Sequence, residues 1–105
     1  MSSTEAKFAP GDLILHSLFD YRGVVIDVDP HFLGTAEWYS NVARSRPPKD
    51  RPWYHVLVDG NEVRTYVAER NLDHDASGQP INHPDITDYF SGLGDGGYLP
   101  RHKSN

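Results

Sequence analysis

Gly23-Val24-Val25-Ile26-Asp27-Val28-Asp29-Pro30 is the stretch whose reading decides the fold. Four β-branched side chains stand between a glycine and a proline, the composition of a strand bounded by turn residues. A period of two places Val24, Ile26 and Val28 on one face and Val25 and Asp27 on the other. Pro30 stops the strand because it has no N–H to give to a ladder. Gly23 at the start points to a bulge or a close backbone approach. Asp27 and Asp29, two apart, can aim both carboxylates the same way, as an acid–base pair would need. Turn chemistry at a strand end is the simpler account of them.

Outward from this strand the pattern repeats. Trp53-Tyr54-His55-Val56-Leu57-Val58 is a second strand, and the following Asp59-Gly60 is a hairpin signal with Val63 to Ala68 as the returning strand. Upstream, the turn Pro10-Gly11-Asp12 launches Leu13-Ile14-Leu15-His16. Between the two main strands, Thr35-Ala36-Glu37 opens a short helix. Thr35 is the N-cap, and Trp38 and Val42 share a face. Arg44 to Pro52, with three prolines, reads as an extended loop. Glu69 to Leu72 is a turn, with Leu72 closing the barrel end. Beyond it the chain is turn-rich, with Pro84 placed to start a short helix over 85–90 and Gly92 to Gly97 read as a flexible linker. The expected fold is mainly β: a small, SH3-like, partly open barrel with one short inserted helix and a turn-rich C-terminal tail. The expected organisation is a disordered start over 1–6, the barrel over 7–72, and an extension over 73–105 partly packed on it.

Composition narrows the function classes. The 105 residues carry a net charge of −5 and contain no cysteine. That excludes a disulfide framework, a thiolate metal site and a thiol nucleophile. The start lacks the charged-then-apolar order of a secretory signal, and no apolar run approaches the roughly 20 residues that span a bilayer. A soluble, cytoplasmic protein is expected. The acidic balance argues against a general polyanion binder. Against it stands a local exception: Arg44, Arg46, Lys49 and Arg51 face one acid, Asp50.

No catalytic constellation emerges. The six histidines, at 16, 31, 55, 74, 83 and 102, have no close metal-ligand spacing. His16 and His55 lie on strands and can meet in space, although hydrogen bonds to backbone or to Asp27 explain them as well. No serine sits in a nucleophile elbow. Gly92-Leu93-Gly94-Asp95-Gly96-Gly97 lacks the strand, lysine and helix of a phosphate loop. The chain is therefore expected to be no enzyme and to hold no cofactor or metal. Two kinds of contact surface remain. The loop cations beside Trp38, Tyr39 and Trp53 can meet phosphates and stack bases, or can be a solvated loop offsetting the acidic body. The barrel itself offers an aromatic groove and a sheet edge to extended peptides.

Three blocks carry a family resemblance. They are Lys7-Phe8 with Gly11-Asp12 and His16; Tyr21-Arg22-Gly23 through Pro30; and Trp53 through Val58 with Thr65-Tyr66-Val67-Ala68-Glu69 and Leu72. Over roughly residues 7 to 72 the chain resembles the HspQ heat-shock family, also called the YccV-like hemimethylated-DNA-binding domain. The block from Ile81 to Asp85, with Tyr89-Phe90 and Tyr98-Leu99-Pro100, resembles longer versions of that domain. The resemblance implies an SH3-like barrel in a cytosolic heat-shock protein. It implies a specificity factor for the Lon protease that promotes degradation of denatured proteins, the replication initiator DnaA included. It also implies binding to hemimethylated DNA, and small homo-oligomers such as trimers. It supplies no catalytic motif. The candidate DNA or partner contacts are Arg22, Arg44, Arg46, Lys49, Arg51 and Trp53.

Overall fold

A computed structural model describes residues 5–43 and 45–101. Arg44, most of the start expected to be disordered, and the tail beyond Arg101 lie outside the described residues. Within them the chain forms a partly open β-barrel with a short inserted helix, as expected. The elements are β1 (Leu13–His16), β2 (Arg22–Asp29), α1 (Ala36–Val42), β3 (Trp53–Val58) and β4 (Arg64–Ala68). A 3₁₀ turn (Glu69–Asn71) leads to β5 (Leu72–His74), α2 (Ile86–Tyr89), β6 (Phe90–Gly94) and β7 (Gly97–Pro100). The first five strands make one antiparallel sheet in the order β4-β3-β2-β1-β5, and β6 and β7 make a separate hairpin. Among the described residues no helix is long and apolar enough to cross a membrane.

The sheet is buried on both faces. Its concave face packs Ile14, Val25, Tyr54, Val56, Val67 and Leu72 around Phe8. Its convex face presents Leu13, Val24 and Leu57, which Ile81, Phe90 and Tyr98 of the C-terminal segment cover. Two small cores thus share one sheet, an economical answer to the limited burial available to about a hundred residues.

The strict alternation expected along β2 fails, and the cause is a bulge. Val25 pairs with Val56 but Asp27 pairs with His55, leaving Ile26 without an opposite residue. Beyond the bulge the faces exchange. Val28 joins the concave core with Val25, whereas Ile26 packs with Val24 on the convex side. Gly23, where a bulge was one expectation, marks a close approach instead. A Cβ there would lie 2.6 Å from the Val56 side chain and 2.7 Å from the Leu57 carbonyl.

The Gly92–Gly97 segment is no linker. It is most of the β6–β7 hairpin, in register from Gly92↔Leu99 to Gly94↔Gly97, with an irregularity before the Phe90↔Pro100 pair. Its attachment explains why it is ordered: the Tyr98 N–H donates to the Gly11 carbonyl at 2.8 Å, and the Tyr98 hydroxyl accepts from the Ile81 N–H at 2.8 Å. Gly11 has φ +101 and its Cα faces the Tyr98 carbonyl so closely that no Cβ fits. Gly97, next to Tyr98, approaches the Gly11 carbonyl just as closely, so a glycine on each side lets the hairpin lie directly on the turn before β1.

Candidate functional site

The helix α1 is capped as read: the Thr35 hydroxyl accepts from the Trp38 N–H at 3.0 Å. It buries no residue completely. What holds it is a cluster of rings against the far end of the sheet. Phe32 lies 4.8 Å from Trp53 and 5.4 Å from Tyr39, centroid to centroid, and Trp38 lies 5.7 Å from Tyr66. Such tilted and edge contacts are the favourable aromatic geometries. The Tyr66 hydroxyl then ties the approach to the helix, accepting from the Leu33 N–H at 3.1 Å and donating to Asp29 at 2.6 Å. Burial, together with the hydrogen bond to Asp29, pushes the Tyr66 phenol up to about 12.

Between α1 and the β1–β2 turn opens an apolar groove of about 800 Å³ floored by β4. One wall is the turn, with Leu18 and Phe19; the opposite wall is Trp38, Val42, Ser45 and Pro47. Phe19 is 70% exposed and Leu18 57%, a high exposure for adjacent large apolar side chains. His16 shapes the turn. Its ring is buried, and its Nδ1 accepts from both the Leu18 and Phe19 N–H groups at 3.1 Å. Burial lowers its pKa, so the acceptor form is the one the fold keeps.

His55 reaches the same groove but not His16's partners. It pairs with Asp29 at 3.1 Å, and Asp27 comes within the same small cluster, all ligand-type atoms within 4.8 Å. The carboxylates do point the same way, as their spacing allows. One oxygen of each is engaged: an Asp29 oxygen takes both Tyr66 and His55, and an Asp27 oxygen takes the Val28 N–H. A cation bound by His55 Nε2 would have to displace its bond to Asp29.

The candidate contact residues separate into groups. Arg22 is an internal clamp. It meets Asp75 at 2.7 Å and Asp59 at 3.3 Å, and donates to the carbonyls of Gln79 and Pro80. Burial works to raise the Asp75 carboxyl; hydrogen bonds from Arg22 and Ser77 outweigh it and hold it below its ordinary value. Trp53 is buried, its indole N–H donating to the Pro48 carbonyl at 3.1 Å. Arg46, Lys49 and Arg51 are exposed on the loop whose Ser45 and Pro47 line the groove. Lys49 lies 4.3 Å over the Tyr39 ring. Arg70, not singled out from sequence, donates to the Ser45 carbonyl at 2.6 Å and joins this rim.

A family model described as hemimethylated DNA-binding protein YccV like matches residues 6–97. The chain belongs to this family. The match spans every strand through β6, so the YccV-like pattern takes in the concave core, the convex core except Tyr98, and the groove between α1 and the β1–β2 turn. Leu18 and Phe19, the turn residues of that groove in this YccV-like chain, went unmarked in the sequence. The available signal was an adjacent apolar pair in a turn, where solvated residues are the rule.

Proposed function

We propose that this YccV-like protein is a non-enzymatic, cytoplasmic quality-control factor that holds denatured proteins, DnaA among them, and promotes their degradation by the Lon protease. The observation that carries the binding half is the apolar groove beside β4. Denatured chains differ from native ones in displaying apolar side chains and unpaired backbone, and a groove at a sheet edge complements both. The protease half is supported by the HspQ resemblance. Self-association into trimers, which the same resemblance implies, would multiply the grooves and the avidity for a long client. The test is client turnover by purified Lon with ATP. Adding this protein should accelerate loss of a denatured client, and Trp38→Ala should blunt the acceleration. Unchanged turnover at saturating protein would reject the reading.

A second reading is selective binding of hemimethylated DNA. The family's description favours it, and so does the position of Arg46, Lys49 and Arg51 on one loop at the groove's rim. So few cations on an acidic body give weak, salt-sensitive affinity unless base contacts add to it. Titration of hemimethylated against fully methylated duplex at physiological salt tests it. A preference of about ten-fold or more for the hemimethylated form supports base-specific contact. Equal binding that disappears with salt rejects it.

A further inference from the structure

The groove runs along the free edge of a strand, and the phase of that strand is fixed at both ends. In the β3–β4 hairpin the Val58 N–H donates to the Val63 carbonyl, and past its far end the Glu69 N–H donates to the Pro52 carbonyl. With the register Leu57↔Arg64 to Trp53↔Ala68, these bonds set the antiparallel alternation. Thr65 and Val67 turn their backbone groups toward β3, while Arg64 and Tyr66 turn theirs away from it. β4 has no strand neighbour but β3 among the described residues. The N–H and C=O groups of Arg64 and Tyr66 have no backbone partner there either. The groove is lined by Thr65 and Val67 from one face of the sheet and by Tyr66 and His55 from the other. Lining from both faces requires a cleft that follows the edge itself.

The lining also has a charge bias. Among the described residues it contains no carboxylate, in a chain of net charge −5; its one guanidinium, that of Arg64, is paired with Asp85 at 3.0 Å outside the groove. The nearby Asp29 carboxylate is taken up by Tyr66 and His55. Arg46, Lys49 and Arg70 add exposed cations beyond the rim.

Resting on the polypeptide-binding reading above, we infer that the client segment docks as an extra β-strand on β4. It bonds to the backbone of Arg64 and Tyr66, seats an aromatic or large aliphatic side chain in the groove, and carries acidic residues alongside. The occupant is thus an extended, acidic, aromatic-containing segment of polypeptide. Strand addition supplies affinity through main-chain bonds, and the pocket and cationic rim supply selectivity.

The test uses the full chain and a fluorescent peptide alternating Glu with Phe. It also uses a Lys-for-Glu counterpart and a copy N-methylated on the Glu nitrogens or on the Phe nitrogens. The acidic peptide should bind roughly ten-fold or more tightly than the basic one. One of the two N-methylated copies should lose binding and the other keep it, because only one set of amides faces β4. Arg64→Pro, which removes an outward N–H and leaves the ladder to β3 intact, should weaken binding beyond Arg64→Thr. Amide exchange should slow at Tyr66 on binding. If a denatured client binds but charge, N-methylation and Arg64→Pro have no effect, the strand-addition inference is overturned while the polypeptide reading stands. If neither client nor peptide binds, both fall. Slowed exchange at Tyr66 with hemimethylated duplex and not with peptide also overturns the inference.

Discussion

His16 shows how one side chain can hold a functional wall in place. Its Nδ1 accepts two backbone N–H groups of the Leu18–Phe19 turn, and its ring stacks on Phe19 at 4.8 Å. A proton at Nδ1 would turn the acceptor into a donor facing two donors. Because burial lowers the folded-state pKa below the ordinary 6.5, the unfolded chain binds this proton more readily than the folded protein. The contribution to stability is therefore complete above about pH 6.5 and is lost progressively as pH falls below it. Urea denaturation across pH 5 to 8 should show the midpoint falling on the acid side. His16→Asn, which keeps an acceptor near the same place and cannot take up a proton there, should flatten that slope. Gly23 makes a second prediction at this scale. Gly23→Ala drives a methyl into the Val56 side chain and the Leu57 carbonyl, and should cost about 1–3 kcal/mol by denaturant titration.

Among elements, the attachment of α1 depends on side chains rather than on burial of the helix itself. Tyr66→Phe removes the hydroxyl that joins Leu33 and Asp29. The loss should be about 1–2 kcal/mol, with a change in tryptophan emission because Trp38 and Trp53 both pack near that ring. The legibility of these elements in the sequence was uneven for physical reasons. Asp59-Gly60 announced its hairpin because β-branched and aromatic runs flank it. Asp95-Gly96 is the same signal, hidden because Gly92, Gly94 and Gly97 dilute its strands, and because the partner that orders it is the backbone at Gly11. The Thr35 cap is local and so was readable. The β2 bulge is set by pairing with β3, and Ile26 carries no mark of it. At the site, the ring cluster was foreshadowed by Trp38, Tyr39 and Trp53, but the clamp made by Arg22 joins residues 37 and 53 positions away. No local pattern encodes such distances. Arg22→Met should leave the half-buried Asp75 without its charged partner, at a cost of about 1–3 kcal/mol, and should hasten proteolysis near Gly78.

For the whole molecule, the sharing of one sheet by two cores predicts that they melt together. Tyr98→Ala, far from the concave core, removes a ring packed on Phe90 at 5.2 Å and the hydroxyl that caps Ile81. It should cost about 3–5 kcal/mol, and the unfolding should remain a single transition when followed by tryptophan fluorescence and by far-ultraviolet dichroism. Two separate transitions would show that the C-terminal segment is an independent cover.

The bond between Tyr98 and Gly11 has an architectural consequence. It places the residues through which the chain comes into this fold beside those through which it goes out. A domain with adjoining thresholds can be spliced into a surface loop of a host protein without prying the host apart. Such a graft would bring its cleft along as a ready-made cassette.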